Sequence, residues 1–136
     1  VGEYVLKGED GMAGTHFEDV VSLASFAVDI HPVKGAGGGV ESALKAGFKA
    51  APVYEIPFRS LVPLTVEGLL VAGRCLSATH EALGAVRVMP PCFAMGQAAG
   101  VAAALAVQGG VPPRRVGVTR LHEVLRRQGA ILDRPQ

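Results

Sequence analysis

Arg87 stands directly ahead of Val88-Met89-Pro90-Pro91, and from Val88 to Pro113 no residue carries a charge. Pro91 suits the first turn of a helix, where a backbone N–H has no partner to lose. The pattern predicts a helix from there to about Gln108, stopped by Gly109-Gly110. A helix N-terminus carries about half a positive charge and unused N–H groups. An arginine beside it adds a full charge. That end of the helix is suited to stabilising negative charge on something that docks there.

The helix must be positioned by what precedes it. Nine of the 13 residues from Ala94 to Ala106 are Ala or Gly, and Gly96, Gly100, Ala104 and Val107 share a face by helical spacing. A face without side chains admits another backbone or a flat ligand, and both readings stay open. A membrane face of the small-xxx-small kind is the third, against which no apolar run reaches the ~20 residues that span a bilayer. Upstream, Leu69 to Ala72 is a continuous apolar run ending at Gly73, as expected of a strand buried on both faces in a parallel sheet. Open α/β sheets bind ligands beyond the carboxyl ends of their strands. A planar, apolar ligand that is electron-accepting at one edge, such as a flavin, fits that geometry.

The stretches "YEIPFRSLVP" and "GLLVAGRCLSATHEALGAVRVMPPCFAMGQAAGVAAALA" resemble the C-terminal part of FAD-dependent oxidoreductases, a family that includes proteins labelled xanthan lyase. The resemblance extends upstream to "FAVDIHP" and downstream to "VTRLHEVLRRQGAIL". It implies that Gly73, Arg74 and Cys75 border the phosphate-ribityl part of FAD, and that Val88, Met89, Pro90 and Pro91 border the flavin edge. The spacing Gly84-x-x-Arg87 is also similar to that of the succinate dehydrogenase and fumarate reductase flavoproteins, which implies a catalytic, substrate-binding arginine at Arg87. The family's GxGxxG βαβ unit is missing, since neither "GAGGGV" nor "GGVPPRR" follows a strand and opens a helix. The expected fold class is therefore α/β: a C-terminal fragment of an FAD-binding, Rossmann-like flavoprotein, with an incomplete sheet and a buried Ala/Gly-rich helix.

Other residues are candidates for chemistry. Arg59 lies in an apolar extended segment and either pairs with Glu55 or reaches a substrate carboxylate as a catalytic residue. His31 faces the pocket or is a loop residue. His80 and Glu81 are neighbours that face different ways on a helix, which favours capping and surface roles over an acid–base pair. Cys75 and Cys92 read as small buried thiols and, with scattered histidines, offer no metal spacing. They fit a reducing, cytoplasmic compartment.

The remaining elements follow from local patterns. "GEYVLKG" reads as a short strand. Thr15 with Glu18 three residues on forms a capping-box signature for a helix. "SFAVDIHP" reads as a strand, "VKGAGGG" as a connector, and "ESALKAGFKA" as helical or irregular. "VYEIPFRSLVP" is extended, and "THEALGAV" is a short helix capped by Thr79. "TRLHEVLRRQG" is an amphipathic helix from Thr119 to Gly129. Residues 1–63 are assigned to a substrate or cap region, 64–110 to the FAD-binding domain and 111–136 to a C-terminal helix and tail.

Composition bounds the rest. Of the 136 residues 49% are hydrophobic, 18 are Gly and none is Trp, and the mean hydropathy is +0.35. Large core-filling side chains are scarce for a self-contained domain. The formal net charge of +1 suggests no polyanionic partner, although six of nine arginines lie at or after Arg114. They are read as a solvated helix face rather than a nucleic-acid patch. Val1 suggests a chain cut from a longer one, with any signal peptide beyond reach. FAD and a small substrate are the expected partners, without nucleic acid or membrane. The rival reading is a non-enzymatic packing module, possibly a homo-oligomer that covers its own apolar surface.

Overall fold

The computed structural model describes residues 1–29 and 53–135. His31, the glycine-rich connector and "ESALKAGFKA" lie outside them. The architecture is mixed α/β, with four α-helices and two strands among the described residues. In chain order these are α1 Gly8–Ala13, β1 Val20–Ala24, β2 Tyr54–Pro57, α2 His80–Val86, α3 Met89–Gly109 and α4 Val118–Arg127.

β1 and β2 pair antiparallel, with Leu23 opposite Glu55 and Ala24 opposite Tyr54, and with an irregularity between Val20 and Ser22. The β-branched Val20 and Val21 are both buried. They favour this pleated pairing over the helix that Thr15 and Glu18 suggest. The N-terminal helix is instead α1, where the Asp10 carboxylate accepts the Lys7 N–H at 2.9 Å and Gly14 closes the end at φ 62. Its sequence GEDGMA has no apolar period to announce it. The "GEYVLKG" strand reduces to two isolated bridges, Gly2 with Pro63 and Leu6 with Ala78. Residues 25–29 form no strand either. Their extended segment begins earlier, at Val20.

The expected parallel strand at Leu69 to Ala72 is absent, and Leu69 is 47% exposed. A doubly buried strand needs neighbours on both sides. Here the Val71 N–H reaches Leu61 O at 2.9 Å, and no ladder forms among the described residues. The run is apolar without being enclosed.

α2 and α3 follow the pattern closely. Thr79 caps α2, its hydroxyl accepting from the Ala82 N–H at 3.4 Å. α3 runs 21 residues and ends at Gly110 in the left-handed conformation (φ 60). It is half-buried rather than enclosed. Met95, Ala98 and Ala102 are fully buried and Ala106 is buried, and α3 packs on β1 and α4. Its opposite side carries Met89, Phe93 and Val107 exposed, and a Cβ added at Gly96 or Gly100 would meet nothing within 4 Å. The small-residue face therefore looks outward. At 21 residues α3 is also long and apolar enough to cross a bilayer by length and composition, contrary to the expectation that no stretch reaches that length.

α4 starts after Gly117 rather than at a Thr119 cap. Leu121 and Leu125 are buried from it, as its amphipathic pattern requires. Four arginines of the C-terminal region are paired: Arg120 with Glu123 and Arg126 with Asp133 on α4, and outside it Arg114 with Glu3 and Glu67 and Arg134 with Glu55. One hydrophobic core draws on residues from Leu6 to Leu132. Tyr54 ties it to α2, its hydroxyl shared between Phe26 O at 2.7 Å and Ala85 O at 3.0 Å.

The two faces of α3 predict unequal costs. Met95→Ala, which empties a fully enclosed site, should destabilise by about 2 to 5 kcal/mol. Phe93→Ala, on the exposed side, should change stability by less than about 0.5 kcal/mol. Urea denaturation of both variants checks this, and equal losses would place the outward face in contact with something.

Candidate functional site

Three segments meet at the N-terminal end of α3. The first is the tight turn Gly73–Cys75, which follows extended Ala72. Gly73 has φ +62, and a Cβ there would lie 3.5 Å from the Cys92 sulfur. The second is the junction between α2 and α3. Arg87 is the C-cap of α2 and donates its N–H to Leu83 O at 3.1 Å. Val88 is the N-cap of α3, in extended conformation. The third is Asp29, whose backbone O and carboxylate accept from the Arg87 guanidinium at 3.1 and 3.5 Å.

Short contacts join these segments. Arg74 Nε donates to Arg87 O at 3.5 Å, and Cys92 Sγ lies 3.8 Å from Val86 O as a donor. Gly73, Arg74, Arg87 and Val88 are thus brought together, with Met89 and Pro90 exposed beside them and Pro91 buried. Cys75 is exposed and Cys92 half-buried, so the expectation of two buried thiols fails for Cys75. The tight Gly73–Cys75 turn directs that side chain outward.

The electrostatics of this end are positive. Two guanidinium groups, Arg74 and Arg87, stand at the positive pole of a 21-residue helix. Asp29 offsets part of that charge. Pro90 and Pro91 have no N–H, so in the first turn only Val88 and Met89 bring donors to a ligand. This terminus therefore has fewer free donors than an ordinary helix start. A docking group would meet an apolar floor of proline and methionine, a few N–H donors and two cations. A planar group with an electron-rich edge would match that combination, and a glycine turn with positive φ allows close approach of a backbone.

Arg59 belongs elsewhere. Its Nε and Nη2 donate to the Asp19 carboxylate at 2.9 and 3.2 Å, and it lies 5.4 Å over the Tyr4 ring. The expected alternative partner, Glu55, is taken: it accepts from the Phe17 N–H at 2.7 Å and contacts His16 and Arg134. The swap follows from strand alternation and from Asp19 sitting at the mouth of β1, where it also accepts the Arg59 N–H at 3.0 Å. Hydrogen bonds that the guanidinium donates to the Asp19 carboxylate raise the Arg59 pKa further above its usual value. His80 and Glu81 form no pair. The Glu81 carboxyl is held below its usual range by its own backbone N–H and by the Thr79 hydroxyl, a helix-start role.

Sequence reasoning missed Asp29 and Asp19, and named Glu55 as a partner for Arg59 but not its ring of donors. The ion pairs join residues about 40 to 80 apart, and no local spacing announces them. Among the described residues no group of three or more His, Cys, Asp or Glu could hold a metal ion.

The sequence model described as FAD dependent oxidoreductase matches residues 1–125, and the chain belongs to that family. No curated protein matches the chain. No solved structure matches it either.

Two predictions follow from this geometry. Gly73→Ala forces an L side chain into the left-handed region, so it should cost about 1 to 2 kcal/mol. The Cβ itself has ordinary room beside Cys92, so thermal melting should show a modest loss with no misfolding. The second concerns Tyr4. Burial, with help from the Asp10 carboxylate that accepts its hydroxyl, pushes its pKa up to about 12, against about 10 in the unfolded chain. The raised value means Tyr4 contributes stability below pH ~10 that is lost as pH rises through ~12. The stability advantage of the native protein over Tyr4→Phe should therefore be constant up to pH ~10 and fade above it. Urea midpoints across that range measure it.

Proposed function

We propose that the chain supplies the flavin-edge half of an FAD site in a Rossmann-like oxidoreductase that exchanges a hydride or electron pair with a small substrate. The observation that carries this reading is the meeting of the Gly73 turn, Arg74 and Arg87 at the exposed first turn of α3. When bound, FAD supplies the redox chemistry; the protein supplies orientation and electrostatics.

Each residue then has a physical role. Gly73, Arg74 and Cys75 border the phosphate-ribityl portion, with the Arg74 guanidinium matched to phosphate charge. Val88, Met89, Pro90 and Pro91 border the ring edge. Met89 and Pro90 would offer apolar contact, and the positive pole of α3 would favour negative charge on the ring. Arg87 is fixed by Asp29 and by its place between two helices, so its charge is preorganised. Arg59 takes no part in this reading, because Asp19 already occupies its guanidinium.

The test is Arg87→Gln in the intact protein, with Arg120→Gln as the control. Arg120 pairs with Glu123 on the surface at 2.9 Å. Loss of a positive charge beside the ring edge disfavours negative charge there, so Arg87→Gln should lower the flavin reduction potential. It should also cost about 2 to 4 kcal/mol in reactivity, the scale of one preorganised donor. Arg120→Gln should leave both unchanged. If Arg87 only holds the turn with Asp29, the variant will melt lower while keeping its potential and turnover, and that outcome removes Arg87 from the site.

A further inference from the structure

The segment after α4 is attached in an unusual way. Gly129, at φ 83, turns the chain back, and the Ala130 N–H donates to Leu125 O at 3.0 Å. Beyond that, residues 131–135 donate no backbone hydrogen bond among the described residues. Two side chains hold them. Leu132 is buried. Arg134 donates from Nη1 to Gly14 O at 2.8 Å and from Nη2 to Thr15 O at 2.6 Å. Its Nε lies 2.9 Å from Glu55 Oε1. That Nε is buried without an in-line acceptor, so the contact with Glu55 is a charge pair and not a hydrogen bond. Asp133 adds a surface pair with Arg126 at 3.1 Å.

This segment is also a wall shared by two open clefts. One is polar and holds His16, Glu55 and His122 beside Leu132, Asp133 and Arg134. The other is apolar and runs from Leu23 and Val53 to Ala94 on α3, walled by Ile131, Asp133 and Pro135. The segment lies beyond residue 125, where the family match ends.

We propose that residues 129–135 form a releasable strap, latched by Arg134 on the buried Glu55 carboxylate, whose opening joins the two clefts while the rest of the fold stays intact. The body does not need the strap for its ladder or for α3 packing. Glu55 keeps the Phe17 N–H and the His16 ring when Arg134 leaves, so release does not strand a bare buried charge. The seat of Leu132, the Arg134 guanidinium with its Glu55 charge pair, and the surface pair of Asp133 with Arg126 hold the closed state.

Native-state proteolysis with an endoproteinase that cuts before aspartate tests this. The bond Leu132–Asp133 reports the strap, and Glu18–Asp19, in the turn before β1 where the buried Asp19 is paired with Arg59, reports the body. In Arg134→Gln the strap cut should accelerate at least tenfold while the body cut is unchanged. Leu121→Ala, a core lesion, should accelerate both together. If Arg134→Gln does not fold, Arg134→Lys serves, since it keeps a cation but loses the fork to Gly14 and Thr15. Parallel acceleration of both cuts in the folded Arg134 variant would show that the strap opens only with global unfolding and sink the proposal. Native protein cut at the strap as fast as the variant would also overturn it, because no latch would then exist.

Discussion

Two carboxylates buried at the ends of the small sheet, Asp19 and Glu55, set terms that the rest of the chain must meet. A carboxylate removed from water is tolerated only with cations and hydrogen-bond donors around it. Asp19 draws in the Arg59 fork and backbone N–H, which sets the helical turn at Phe58–Leu61 directly after β2. Glu55 draws in the Phe17 N–H, the His16 ring and Arg134, and so fixes the loop after α1 and the far C-terminal segment. The two strands are short, with five and four residues, too little ladder to hold an edge alone. Charge matching at the strand ends and Tyr54 bridging to α2 supply what the ladder lacks.

α3 meets a different constraint. One side is committed to β1 and α4, and the other offers methionine, phenylalanine, glycine and alanine to the surroundings. A charged outward face would make it an ordinary surface helix. This helix has none over its whole length, and its N-terminal end lies where Arg74, Arg87 and the Gly73 turn converge. The site and the exposed stripe are parts of one element, so whatever lies along the stripe also bears on the end that faces the flavin in our reading.

What the sequence made legible was local. The proline pair, Thr79 and Gly109-Gly110 marked α2 and α3 well, because caps and breakers act within a few residues. Leu121, Val124 and Leu125 marked α4 for the same reason. The errors came where partners are distant. Val20 and Val21 are β-branched, but it is pairing with residues 54–57 that makes them strand; Thr15 and Glu18 pointed the other way. Leu69 to Ala72 has the composition of an enclosed strand, but enclosure depends on neighbours that a one-dimensional pattern does not contain. At the site, family resemblance supplied Gly73 to Cys75 and Val88 to Pro91. The structure added how they meet, and added Asp29 as the group that holds Arg87.

Pro90 and Pro91 bear on how the protein assembles as well as on what it binds. The costly step in forming a helix is fixing its first turn. Two consecutive residues with φ preset near −65° have already given up most of that freedom in the unfolded chain. The alanines among residues 94–106 behind them then help the helix to propagate at little cost at those positions. α3 is thereby biased to be an early helix on the folding route, a preformed rod against which β1 and α4 condense. Residues that limit hydrogen bonding at the mature site would thus also set the order in which the molecule takes shape.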